Sequence, residues 1–153
     1  MGGVTALLQQ LRDAGRVCLD TVIFIYALER HPRFGPASQA VFRAIALGEF
    51  QAYASVLTAG EVLTGVKKAG DNDLLLRYRD LFQRFPGLTM VDADLAVTEH
   101  MATLRASRGC PIPDAIHLAT ALAQKAPVFL TNDLRLKRVD TLQVLNLQTV
   151  VWL

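Results

Sequence analysis

Residues 16–30 read RVCLDTVIFIYALER, with Asp20 set among apolar neighbours. The four residues before the acid, Arg16–Leu19, are a short β-branched and apolar run of the kind that forms a buried strand. Residues 21–30 continue with helical spacing, and the prolines and glycine within 32–36 then break the pattern. The stretch therefore predicts a strand, an acid at its carboxyl end, and a helix.

The same alternation continues to the end of the chain. Further strands are predicted at 50–54, 88–91, 127–130, 142–145 and 149–152. Further helices are predicted at 37–47, 58–68, 71–85, 94–107 and 114–125, with a short helical turn after Asp133. Strands that alternate with helices of ten or more residues indicate βαβ units and a mainly parallel sheet covered on both faces. The predicted fold class is therefore α/β.

Length and composition favour one globular domain over residues 1–153, with residues 1–15 as an N-terminal helical extension. The hydrophobic fraction of 52% and the charged fraction of 20% exclude a disordered chain. The longest uncharged apolar run, 22–28, has seven residues, where a membrane span needs about 20. Two cysteines, Cys18 and Cys110, are too few for a disulfide framework or a zinc cage. We expect a cytoplasmic protein without a membrane segment.

Three acids, Asp20, Glu61 and Asp114, lie in apolar stretches where surface acids are uncommon, and we expect their surroundings to be largely buried. An isolated buried carboxylate is costly, so each needs a local hydrogen-bond role or a cation shared with other acids. Asp20 and Asp133 could cap the turns after their strands, and Asp114 could be a first-turn acid. Glu61 falls inside a predicted helix and has no capping role.

The second remedy joins the four acids in one site. Asp20 and Asp133 follow predicted strands, and ligands of parallel sheets bind beyond the carboxyl ends of the strands. Four carboxylates gathered there would repel each other unless a divalent cation neutralised them. Oxygen ligands of this kind suit Mg²⁺ or Mn²⁺ rather than zinc. Such a site is typical of metal-assisted phosphodiester hydrolysis.

The residues around these acids carry a resemblance. Residues 19–29, LDTVIFIYALE, resemble the opening motif of the PIN-domain ribonucleases. Ser55 followed by Glu61 is similar to the second motif of that family, PDAIHLATA at 113–121 to the third, and TND at 131–133 to the fourth. Within the family, the pattern looks most like the VapC-type toxins of type II toxin–antitoxin systems.

The resemblance implies a three-layer α/β/α sandwich and a Mg²⁺- or Mn²⁺-dependent endoribonuclease with an RNA substrate. It also implies a homodimer and a cognate antitoxin that inhibits it. By the same resemblance, the catalytic and metal-binding acids are Asp20, Glu61, Asp114 and Asp133. The supporting polar residues it implies are Thr21, Ser55, Thr131 and Asn132. Two positions depart from the family pattern: Val22 stands where Asn is frequent, and no aromatic residue follows the fourth motif.

Basic residues provide candidate contacts to RNA. Lys67, Lys68, Arg135 and Arg138 could bind phosphates or form an ordinary solvated surface, and the sequence favours neither. His117 lies one helical turn from Asp114 and shares its helix face. It could support the site or contact phosphate, but we favour a packed helix residue. With four acids assigned to one site, ten remain against sixteen basic residues, which predicts a basic exterior around an acidic site.

Two other classes of protein are consistent with parts of this pattern. The first is a catalytically idle PIN-like module that binds RNA or protein, although four uncompensated acids argue against an idle site. The second is a receiver-type phosphotransfer domain, which also gathers acids at strand ends. That class needs paired acids after the first strand and a lysine after a late strand, and Asp20 follows Leu19 alone.

Overall fold

The computed structural model describes residues 2–139 and 141–150. The strands are β1 (Arg16–Leu19), β2 (Gln51–Ser55), β3 (Leu88–Val91), β4 (Val128–Thr131) and β5 (Gln143–Asn146). The first four helices are α1 (Gly2–Ala14), α2 (Thr21–Leu28), α3 (Gly35–Ala46) and α4 (Val56–Ala69). The remaining helices are α5 (Asn72–Arg84), α6 (Leu95–Arg108), α7 (Ile112–Ala123) and α8 (Leu147–Val150).

The five strands form one parallel sheet in the order β3-β2-β1-β4-β5. The first strand in the sequence, β1, is the central strand of the sheet. The strands β2 and β3 follow on one side of it, and β4 and β5 lie on the other side. The strand order therefore reverses between β1 and β4, where Leu19 is paired with Leu130. Such a switch point leaves a crevice at the carboxyl ends of the two strands, where α/β proteins bind ligands.

Alternate strand residues face two separate apolar layers. Val17 and Leu19 belong to the layer covered by α1–α5 and α8. Cys18 and Phe129 belong to the layer covered by α6 and α7. Because side chains alternate along a strand, a sheet covered on both faces needs strands that are apolar throughout. The predicted three-layer α/β/α sandwich with a parallel sheet is confirmed.

At both ends of the described chain the structure adds to or differs from the sequence prediction. Residues 2–14 form the helix expected in the N-terminal segment, but α1 packs on the core through Leu7 and Leu11, both fully buried. The strand predicted over 149–152 is wrong where the structure describes it, because 147–150 form α8. Asn146 Oδ1 accepts a hydrogen bond from the Gln148 N–H at 2.9 Å and so favours a helical turn over a longer strand. Residues 151 and 152 lie outside the described residues.

The helical turn expected after Asp133 is a single hydrogen-bonded turn, in which the Leu136 N–H donates to the Asp133 carbonyl at 3.2 Å. Among the described residues, no helix is long and apolar enough to cross a membrane.

Gly87 offers a test of the packing beneath β3. Its φ is +81°, and a Cβ there would lie 2.6 Å from the Ile45 carbonyl oxygen. Gly48 is a matched control because its φ is +76° and nothing lies within 4 Å of the Cβ position. Both Gly→Ala variants lose about 1–2 kcal/mol from the left-handed backbone. We expect Gly87→Ala to lose at least about 1 kcal/mol more through overpacking.

The free energy of unfolding in urea measures this difference. Equal losses in the two alanine variants would show that the backbone of Ile45 moves away from residue 87 at no cost.

Candidate active site

A cleft of about 510 Å³ opens beyond the carboxyl ends of β1 and β4. The four predicted acids, Asp20, Glu61, Asp114 and Asp133, all line it. They come from the end of β1, from α4, from the first turn of α7 and from the loop after β4. The fold therefore brings together acids that are spread over more than a hundred residues of the sequence.

Asp20 is held from both sides of the switch point. It is the N-cap of α2, where its Oδ1 accepts a hydrogen bond from the Thr21 N–H at 2.8 Å. Its Oδ2 accepts a hydrogen bond from the Thr131 hydroxyl at 2.6 Å. The Thr131 hydroxyl in turn accepts from the Asp133 N–H at 3.0 Å. Thr131, which is fully buried, thus ties the first acid to the loop that carries the fourth.

Asp114 is the least compensated acid of the cleft. Its carboxylate accepts no hydrogen bond from any residue that the structure describes. Burial raises the pKa of Asp114 and is the main cause of the shift, and the negative charges of Asp133 and Asp20 raise it further. Arg135 and His117 oppose this effect. A carboxylate in this position gains more than its neighbours from a nearby cation.

Asp133 already has a cation beside it. The Arg135 side chain donates from Nε to Oδ1 at 3.0 Å and from Nη2 to Oδ2 at 2.7 Å. This hydrogen bonding is the main reason that the pKa of Asp133 is lowered. The Arg135 side chain is 78% exposed, so the pair contributes little to stability. Its effect is to hold a guanidinium at the mouth of the cleft.

Glu61 differs from the expectation of burial. Its side chain is 39% exposed, because α4 buries the face that carries Thr58, Val62 and Val66. Glu61 Oε1 lies 2.7 Å from His117 Nε2 and accepts a hydrogen bond from the Thr21 hydroxyl at 2.9 Å. The acid is therefore fixed by contacts rather than by burial.

A second group of polar side chains also lines the cleft. Asn132 Nδ2 donates to the Tyr26 hydroxyl at 2.8 Å, and Gln148 Nε2 donates to the Asn132 carbonyl at 2.9 Å. Val22, which replaces a frequent Asn of the family pattern, also lines the cleft and adds an apolar surface there.

The remaining predicted residues lie elsewhere. Ser55 is buried as the N-cap of α4, where its hydroxyl accepts from the Leu57 N–H at 3.1 Å. Lys67 and Lys68 are in the last turn of α4, and Arg138 lines a different pocket. Arg135 is the one predicted phosphate contact, among the described residues, that lines the acidic cleft.

Three polar residues that line the cleft were not predicted from the sequence as part of the site. His117 was interpreted as a packed residue; it is buried, but it also contacts Glu61. Its spacing from Asp114 in α7 was the available signal, because residues three apart share a helix face. Tyr26 lies on the helix that Asp20 caps, and Gln148 lies between two segments predicted to be strands.

A divalent cation suits this donor set but is not yet enclosed by it. Within residues 2–139 and 141–150, no three His, Cys, Asp or Glu side chains form a group that could hold a metal ion. Asp133 is paired with Arg135, and Glu61 is paired with His117. Asp20 and Asp114 are close enough for the charge of Asp20 to raise the pKa of Asp114. Their oxygen ligands fit Mg²⁺ or Mn²⁺.

The protein is therefore a parallel α/β sandwich with an acid-lined cleft at the switch point of its sheet. Residues 17–142 match the model of the PIN domain, and the chain belongs to the PIN domain family. The resemblance seen in the four sequence motifs is thereby confirmed. No curated protein sequence matches the chain significantly.

Solved structures share the fold. The structure of VapBC2 from Rickettsia felis bound to a promoter DNA fragment has a TM-score of 0.68 and 24% sequence identity. The match covers 86% of this chain and 98% of that chain. A toxin–antitoxin complex from Klebsiella pneumoniae has a TM-score of 0.64 at 23% identity, with coverages of 86% and 97%. FitAcB from Neisseria gonorrhoeae has a TM-score of 0.63 at 18% identity, with coverages of 86% and 98%. At these identities the similarity is one of fold.

The bond between Thr131 and Asp20 gives a test of the site's construction. Thr131→Val removes the donor that faces Asp20 Oδ2 and the acceptor of the Asp133 N–H, whereas Thr131→Ser keeps both. We expect the valine variant to lose about 1–2 kcal/mol of unfolding free energy and the serine variant to lose much less. Urea titration of both variants measures this, and a valine variant as stable as the serine one would contradict it.

Proposed function

We propose that this protein is a Mg²⁺- or Mn²⁺-dependent endoribonuclease that hydrolyses RNA phosphodiester bonds. The observation that supports it most strongly is the meeting of four acids in one cleft at the switch point of a PIN domain. A bound divalent ion would supply an activated water and charge stabilisation for the displacement at phosphorus. The residues that would hold it are Asp20, Glu61, Asp114 and Asp133.

The chain's own residues divide the remaining work. Thr131 and the start of α2 hold the Asp20 carboxylate in one orientation, so that the carboxylate does not have to be ordered when ligand arrives. Asp114 offers a carboxylate to which no described residue donates a hydrogen bond. The Arg135 guanidinium, at the mouth, is placed to meet a phosphate group entering an otherwise acidic cleft. Asn132 and Tyr26 present further polar groups to the cleft.

We further propose that the protein is a VapC-type toxin that acts as a homodimer and is inhibited by a cognate antitoxin. Support comes from the solved structures of similar fold, which include VapBC2 from Rickettsia felis and the toxin–antitoxin complex from Klebsiella pneumoniae. The structural match covers 98% and 97% of those two chains. The proposed partner is therefore a protein, in addition to the RNA substrate.

A catalytically idle PIN-like binding module is the second candidate. It is favoured by the finding that no group of three potential ligands is assembled in the described part of the chain. The two candidates differ in their response to Mn²⁺. An enzyme of the proposed kind gains thermal stability on binding the ion, because a ligand that binds the folded state alone stabilises it. An idle module shows no such gain.

Asp114→Asn tests the proposed function directly. We expect it to lose cleavage of a randomised RNA pool by more than the roughly 10–100-fold that loss of an outer-shell partner costs. We also expect it to lose the thermal stabilisation by Mn²⁺. Without metal the variant should be no less stable than wild type, because the raised pKa of Asp114 shows that its charge is unfavourable in the folded state.

Asp92→Asn is the matched control, since Asp92 is exposed and does not line the cleft. It should cleave RNA and respond to Mn²⁺ as wild type does. Cleavage that persists in Asp114→Asn, or in wild type with excess EDTA, would contradict the mechanism.

A further inference from the structure

Glu61 is the acid whose position depends most on other side chains. Its side chain is 39% exposed, against 27% for Asp133, yet two groups converge on a single one of its oxygens. His117 Nε2 lies 2.7 Å from Oε1, and the Thr21 hydroxyl donates to the same oxygen at 2.9 Å. Oε2 accepts no hydrogen bond from the residues described. Among the described residues, the contacts of the Glu61 carboxylate are therefore all made by Oε1.

The burial of His117 selects one tautomer. The residue is 4% exposed, and its Nδ1 is buried without a hydrogen-bond partner among the residues that the structure describes. A buried N–H without an acceptor is rare and costly, whereas an unused lone pair is better tolerated. The ring therefore carries its hydrogen on Nε2, and the short contact is a hydrogen bond donated by His117 to Glu61.

Thr58 adds a further hydrogen bond to the contacts between Thr21 and Glu61. Its hydroxyl is fully buried and lies 3.0 Å from the Thr21 hydroxyl. Because Thr21 donates its only hydroxyl hydrogen to Glu61, Thr58 is the donor in this second contact. The hydrogen bonds then run in one direction, from Thr58 to Thr21 to Glu61, and His117 adds the other donor. Three helices, α2, α4 and α7, are linked at this point.

We propose that His117 is a positioning residue that, together with Thr21, orients Glu61 so that Oε2 faces the acidic cleft. This inference rests on the proposed function, because it assigns Glu61 to the site that would hold the divalent ion. His117 is only 4% exposed and acts through Glu61, not on RNA. A long, partly exposed glutamate side chain loses rotamer freedom when it is held, and two donors on Oε1 offset that loss before any ligand binds.

The first arm of the test needs no metal. Nitrogen chemical shifts of the His117 ring in the metal-free protein report which nitrogen carries the hydrogen. We expect the Nε2–H form, with a change in the Nε2 shift when Glu61→Gln is introduced. A ring with its hydrogen on Nδ1, or one indifferent to Glu61→Gln, would overturn the inference whatever the protein's activity.

The second arm compares two replacements of the histidine. His117→Gln places an amide nitrogen the same number of bonds from the backbone as Nε2, whereas His117→Leu fills the space without a donor. We expect His117→Leu to weaken Mn²⁺ binding about tenfold or more, as loss of a supporting shell does. His117→Gln should recover most of that affinity. His100→Leu is the control, since His100 is exposed on α6.

A double-variant cycle separates positioning from packing. In a Glu61→Gln background, His117→Leu should cause no further loss of Mn²⁺ affinity, because its effect passes through Glu61. Equal losses for His117→Leu and His117→Gln, or a full loss that persists without Glu61, would show that the histidine only packs. A wild-type protein that binds no Mn²⁺ would contradict the proposed function, and the positioning role would fall with it. Wild-type affinity in His117→Leu would contradict the positioning role alone.

Discussion

The parallel pairing of β1 with β4 is the constraint on which the site depends. The Asp20 N–H donates to the Leu130 carbonyl at 2.9 Å, so the hydrogen-bonded ladder continues to the acid itself. One residue further along, the Thr131 hydroxyl reaches the Asp20 carboxylate. A shift of the register by one residue would turn Thr131 to the opposite face of the sheet and leave Asp20 without this donor. The geometry of the acids thus follows from the same contacts that hold the centre of the sheet.

The charge of the molecule is distributed around this point. Of the fourteen acidic residues, four line the cleft, and ten remain against sixteen lysines and arginines. Burial and neighbouring charges raise the pKa of Asp114, while the contact with Arg135 lowers that of Asp133. The charge of Asp114 is therefore unfavourable, whereas the charge of Asp133 is paired with that of Arg135, two residues further along the chain. A polyanion attracted by the basic exterior would meet repulsion in the cleft unless a cation lay between.

Much of the sheet could be predicted because its strands are short, apolar and bounded by helices with regular spacing. The acids at strand ends could also be predicted, since parallel strands bring their carboxyl ends to one edge. Two expectations were wrong for local reasons. The side-chain cap that Asn146 offers to Gln148 outweighs the β-branched pattern after it. The expected burial of Glu61 failed because α4 buries only one of its faces, and periodicity in a mostly apolar helix does not show which face.

The partner of Glu61 could not be predicted, because it depends on how α4 and α7 meet across the cleft. Nothing in the spacing of Glu61 and His117 indicates a contact over 56 residues. The structure shows that the acids of the cleft reach their positions in different ways. Asp20 and Glu61 are oriented by donors, Asp133 is paired, and the Asp114 carboxylate has no hydrogen bond from the described part of the chain. Oriented carboxylates lose little freedom when a ligand binds, and the unpaired one gains most from a cation. A site that combines the two is therefore prepared for a cation before the cation arrives.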